Sequence, residues 1–119
     1  MLVVDGPGSD FVAECLPLAG ETMLRKPGKG ALYATGLEQV MHCGGSTHLL
    51  IAGITTEVCV QTTMREANDR GFECQLVENC AASYFPDFHR ASVEMMVAQG
   101  GIVGGAATRQ PLERSTALG

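Results

Sequence analysis

An apolar strand that runs into a helix bearing a cysteine in its first turn constrains this chain more than any other feature. It spans His48 to Gly71, HLLIAGITTEVCVQTTMREANDRG. Leu49, Leu50, Ile51 and Ala52 form a short apolar run without strict alternation, the pattern of a strand in a parallel sheet. A Gly-Ile-Thr-Thr turn follows. With Thr56 as N-cap, its hydroxyl would accept a first-turn N–H, Glu57 would open the helix and Cys59 would stand third. Val60, Met64 and Ala67 recur at helical spacing and predict a core-facing stripe, opposite a polar face of Gln61, Arg65, Glu66 and Asp69. Gly71, after Arg70, suits a left-handed C-cap.

Cys59 has two readings. A thiol at a helix N-terminus lies beside unpaired backbone N–H groups and the positive end of the helix dipole. Both favour the thiolate, the form that attacks carbonyl carbon. The other reading is a small apolar core residue, which is how most free cysteines behave.

The remaining text arranges itself around this unit. The first thirty residues are rich in turns, with Gly6-Pro7-Gly8 and Pro17-Leu18-Ala19-Gly20, and LVV is strand-like. Thr35-Gly36-Leu37-Glu38 reads as a capping box opening a short helix with Leu37, Val40 and Met41 inward, stopped by Gly44-Gly45. A strand is expected over Glu73 to Val77. A helix follows from near Pro86, carrying Phe88, Ala91, Val93, Met95, Met96 and Ala98 to a Gly100-Gly101 cap. Ile102-Val103 reads as one more short strand, and the tail from Arg109 as weakly helical or frayed. Strands alternating with helices predict an α/β fold with a parallel sheet, ligands binding beyond the carboxyl ends of its strands. Gly53 to Cys59 lies at such an end. So few strands would leave a face or an edge uncovered.

A length of 119 residues with 45% hydrophobic content suits one domain, and the absence of Trp makes the core mainly aliphatic. The net charge of −5 and the lack of a basic run argue against nucleic acid or an anionic membrane as partners. Cys15, Cys43, Cys59, Cys74 and Cys80 are odd in number and contain no CxxC pair. That fits reduced thiols in a cytoplasmic protein better than a disulfide framework or a zinc finger. The start lacks a signal-peptide pattern, and no segment approaches the roughly 20 apolar residues of a membrane span. His42, His48 and His89 show no metal-ligand spacing and read as surface or structural residues, and no cofactor motif is present. Gly28-Lys29-Gly30 lacks the frame of a phosphate loop. A dyad of His89 with a cysteine could arise only through folding.

GITTEVCVQTTMREANDRG resembles the nucleophile region of the isochorismatase-like cysteine hydrolases, a superfamily that includes nicotinamidases, N-carbamoylsarcosine amidase, and ureidoacrylate and biuret amidohydrolases. Their pattern is an apolar strand, G-V/I-x-T-x-x-C-V, and a helix. RKPGKGALYATGLEQVM resembles the family's lysine block, and LVENCAASYFPDFHRASVEMMVAQGGIVGG its closing strand, helix and strand. The resemblance covers about residues 23–107 and implies a three-layer α/β/α architecture with a mainly parallel sheet. It implies Cys59 as nucleophile and Lys26 as the lysine that assists it, with Lys29 a solvated loop charge. It also implies a cis peptide between Ile54 and Thr55, with the N–H groups of Thr55 and Cys59 forming an oxyanion hole. Tyr33 stands where the family usually has Phe; it could line the substrate pocket or be a partly buried amphipathic core residue. Metal and cofactor are not implied.

The front of the chain departs from the family. An aspartate at the end of the family's first strand has no counterpart here, because Asp5 precedes Lys26 by only 21 residues and resembles linker. The D-x-H-x-x-H-type metal segment of some nicotinamidases also has no counterpart. Asn79 and Gly105 replace an acidic and an aromatic residue. The expectation is an isochorismatase-like domain missing its N-terminal strand–helix portion: an irregular segment over 1–22, the domain over 23–107 and a tail over 108–119. Its activity would be hydrolysis of a C–N amide or ureido bond of a small molecule, impaired by the missing aspartate. The alternative is a non-catalytic relative or gene fragment serving in binding or assembly. Homo-oligomerisation would cover the incomplete sheet.

Overall fold

The structure is a computed structural model, described over residues 5–111. Between Asp5 and Lys26 regular structure is confined to two short 3-10 turns, Pro7–Ser9 and Ala13–Cys15. The apolar residues of this stretch face solvent, Leu18 and Met23 among them. The strand-like LVV lies outside the described residues, as does most of the expected C-terminal tail.

From there the chain alternates: α1 (Leu37–Cys43), β1 (His48–Ile54), a π-helical turn (Thr56–Val60) leading into α2 (Gln61–Asp69), β2 (Glu73–Ala82), α3 (Pro86–Gly101) and β3 (Gly105–Ala107). The strands form a parallel sheet in the order β1-β2-β3, in register Leu49 to Cys74 and Leu76 to Ala106. Two successive crossovers step the same way across the sheet, and right-handed connections of this kind place both helices on one face. The packing agrees. Met64 and Ala67 of α2 and Met96 of α3 join Cys74 and Leu76 of β2 in one core cluster, with Leu49 and Ile51 packed against it. Met64, Leu76 and Met96 are fully enclosed, each contributing about 1.5–3 kcal/mol by leaving water. On β1, Leu50 (60%) and Ile54 (67%) are exposed.

The stripe read from helical spacing is the buried one: Val60, Met64 and Ala67 are all in the core. The end of α2 is closed by a Schellman motif. Gly71 has φ +92, its N–H donates to the Asn68 carbonyl, and Phe72 N–H donates to the Ala67 carbonyl.

Several expectations are corrected. Both long strands run further than the apolar pattern, to Ile54 and to Ala82. In α1 Met41 is buried but Val40 is exposed, and Glu38 pairs with Arg70 instead of folding back. Thr35 does meet the helix start, its hydroxyl accepting from Leu37 N–H at 3.3 Å. On α3 the inward line is Ser92 and Met96, while Phe88 and Met95 face out. Helical geometry breaks at Ala98, Gln99 and Gly100. The last strand is Gly105–Ala107 and not Ile102-Val103. Val103 drops into the core, and Gly104 passes so close to β2 that a Cβ there would overlap the Cys74 carbonyl and come within 2.8 Å of Met64 Cε.

That approach predicts that Gly104→Ala lowers stability by about 1–3 kcal/mol through overpacking. Gly36→Ala, whose Cβ would meet nothing within 4 Å, should stay within about 0.5 kcal/mol of the parent. Urea unfolding of both variants checks the contrast.

Candidate active site

The site is assembled where β1 ends. The Ile54–Thr55 peptide is cis, and the chain then enters the π turn that carries Cys59. This turn is held by the Thr55 carbonyl, which accepts from Val58 N–H at 3.2 Å and Val60 N–H at 3.3 Å. Thr55 itself is extended and provides no side-chain cap. Thr56 is therefore not the N-cap that the pattern suggests. It lies inside the turn, fully buried, and its Oγ1 is 2.7 Å from His89 Nδ1 on α3. One consequence is a shift of one position: Glu57 and Cys59 stand second and fourth after the cap. Glu57 Oε2 is buried without a hydrogen-bond partner among the described residues.

Cys59 is half-buried. The Lys26 ammonium lies 3.3 Å from its sulfur. The same Nζ donates to the carbonyls of Gly28 at 3.1 Å and Lys29 at 3.0 Å. An ammonium has three protons to donate; two carbonyls of its own loop fix two of them and leave the third directed at the thiol. Lys29 enters this arrangement through its backbone carbonyl.

Thr63, one turn along the helix from Cys59, fixes the distance between the lysine loop and the cysteine. Its hydroxyl donates to the Cys59 carbonyl at 2.7 Å and accepts Ala31 N–H at 3.0 Å. A single oxygen thus joins the backbone of Cys59 to the loop that carries Lys26. Gly30 lies close against the same helix, where a Cβ would meet Glu66 Oε2 at 3.0 Å and Thr62 Cγ2 at 3.2 Å. Tyr33 is 63% exposed. Its ring lies against Gly28, where a Cβ would be 3.0 Å from Tyr33 Cδ1.

Other candidates fall elsewhere. Asp5 forms an exposed ion pair with Arg25 at 2.7 Å. Both line an open depression of about 690 Å³ that also includes Lys26, Asp10, Phe11 and Met23. His42 stacks on Phe72, His48 bonds Thr47, and His89 Nδ1 is engaged by Thr56. Among the described residues no group of His, Cys, Asp and Glu is arranged to hold a metal ion, and no helix is long and apolar enough to cross a membrane. Burial pushes the Cys74 thiol up, with Glu73 adding to the effect. The roles of Thr63 and of the Thr56–His89 pair have no sequence signature, since each joins segments more than thirty residues apart.

The pattern described as the isochorismatase domain matches residues 2–108. Among characterised proteins, the maleamate amidohydrolase of Pseudomonas putida is 29% identical over 92 residues, which are 77% of this chain and 43% of that protein. The ureidoacrylate amidohydrolase RutB of Yersinia enterocolitica is 31% identical over 78 residues, 66% of this chain and 34% of that protein. An isochorismatase-like hydrolase structure from Alkaliphilus metalliredigens superposes with a TM-score of 0.86 at 21% identity, covering 92% of this chain and 59% of that one. The chain thus spans less than half the length of both amidohydrolases.

The Thr63 bridge generates a prediction. Thr63→Val keeps the volume but removes the hydroxyl that accepts Ala31 N–H and donates to the Cys59 carbonyl, at a cost of about 1–3 kcal/mol. Chemical denaturation should show this loss, whereas Thr63→Ser should keep most of the stability.

Proposed function

The chain belongs to the isochorismatase family, and on that footing we propose that Cys59 is the nucleophile of a hydrolase acting on the C–N amide or ureido bond of a small molecule. The observation that carries the reading is the Lys26 ammonium, 3.3 Å from the Cys59 sulfur and directed there by two loop carbonyls. A positive charge held beside the sulfur is one of the devices that activate a nucleophilic cysteine.

In this reading the thiolate attacks the substrate carbonyl carbon, and the N–H groups of Thr55 and Cys59 receive the oxyanion. Preorganised donors of this kind usually supply more of the rate enhancement in acyl transfer than any other single effect. The C–N bond breaks, the nitrogen leaves with the proton given up by the thiol, and the acyl group stays on Cys59 as a thioester. Water hydrolyses the thioester and restores the thiol. Tyr33, lying over the lysine loop, lines the substrate pocket. The family aspartate that would move the thiol proton has no counterpart in the sequence, and Asp5 is engaged by Arg25.

A second reading is favoured by the exposed Leu50 and Ile54 on β1: the chain serves as one part of an assembly, a homo-oligomer included, that covers this side of the sheet. The names of the relatives and the members of the family that the sequence resembles direct the choice of substrates for a test. Ammonia release would be measured from maleamate, ureidoacrylate, biuret and nicotinamide over a range of chain concentrations. Release above background that Cys59→Ser abolishes and Lys26→Met reduces about tenfold or more is the expected outcome. Specific activity rising with concentration would mark the assembly as the working form. Equal rates in the parent and Cys59→Ser would remove the catalytic assignment.

A further inference from the structure

The π turn that carries Cys59 is closed at its end by Gln61, whose N–H donates to the carbonyls of Thr56 and Val58. A π turn is wider and rarer than an α turn, and this one has the Thr55 carbonyl accepting from Val58 and Val60. These bonds shape the turn itself, while its orientation toward the lysine loop is also set by contacts from outside. Thr63 supplies one, from the α2 side. The other comes from α3, whose first turn carries His89. Thr56 opens the π turn with its side chain fully buried, and its Oγ1 meets His89 Nδ1 at 2.7 Å. A buried hydroxyl without a partner is costly, so this pair resists separation. Val60 of the turn and Met96 of α3 also share the core cluster, but apolar packing is non-directional and does not by itself fix the rotation of the turn. A directional hydrogen bond does.

We propose that His89 is a positioning residue for Cys59: through Thr56 it fixes the π turn so that the sulfur faces the Lys26 ammonium, and so sets the reactivity of the thiol. This rests on Cys59 being the reactive thiol of the site. It adds a residue from α3, thirty positions beyond the nucleophile and not in contact with the reacting atoms, to the machinery that aims it.

The test is iodoacetamide alkylation of the full chain at neutral pH, followed cysteine by cysteine by peptide mass spectrometry. Exposed Cys80 serves as the internal reference and buried Cys74 as the reporter of loosening. Thr56→Val and His89→Ala should each slow Cys59 about three- to tenfold relative to Cys80, the span expected for one lost hydrogen bond. The double variant should be no slower than either single one, because both remove the same contact. His89→Asn, whose Oδ1 takes the place of Nδ1, should restore most of the parent rate. Cys74 should label no faster in any of them. Should His89→Ala fail to fold, the near-isosteric Thr56→Val carries the test with the same outcomes. The proposal is overturned by an unchanged Cys59 rate in the folded variants, by losses that multiply in the double variant, or by a slowing that His89→Asn does not repair while Cys74 labels faster. Alkylation needs no substrate, so a chain that hydrolyses no amide still answers the question. Failure here leaves the assignment of Cys59 standing.

Discussion

The contact between the Lys26 ammonium and the Cys59 sulfur is the interaction on which the rest of the site depends, and the surrounding structure serves to hold it. Neither residue could make the contact by itself. Lysine carries a flexible four-carbon stem with a large rotamer entropy, and here the carbonyls of Gly28 and Lys29 hold its head group. The thiol rides on a π turn braced from two sides, by Thr63 toward the lysine loop and by Thr56 toward α3. Three segments distant in sequence converge on one S–N distance.

The fold explains why they converge there. In a parallel sheet every strand delivers its following loop to the same end, so the end of β1, the π turn and the end of β2 with its α3 helix lie together. The two crossovers put α2 and α3 on one face, where Met64, Leu76 and Met96 lock them to the sheet. That core seats α3 against the sheet, with His89 facing the π turn. The closeness of Gly104 to Cys74 and Met64 belongs to the same packing, since β3 pairs with β2 only if the chain passes α2 without a side chain.

How much of this the sequence disclosed follows from the range of each contact. The α2 stripe of Val60, Met64 and Ala67, its glycine cap and the α/β class were legible because they depend on spacing within a few residues. That Lys26 and Cys59 come together was legible through two motifs of a known family. The Thr63 bridge and the Thr56–His89 pair were not, since each oxygen has a choice of local and distant partners that only the fold decides. Thr56 shows this well: local rules make it an N-cap, and a histidine on another helix takes its hydroxyl instead. The misplaced last strand and the exposure of Val40, Phe88 and Met95 have a related cause. Apolar periodicity marks residues able to be buried, and the available neighbours determine which ones are.

The most direct measurement of the central contact is a competition among the five cysteines for a limiting amount of iodoacetamide near neutral pH, in the parent and in Lys26→Met. Exposed Cys15, Cys43 and Cys80 have the advantage of access, while Cys74 is buried and its thiol is pushed up. If the lysine activates the sulfur, half-buried Cys59 labels first in the parent and falls behind the exposed cysteines in Lys26→Met, with the other four unchanged. Labelling that follows exposure alone in both proteins would contradict the account.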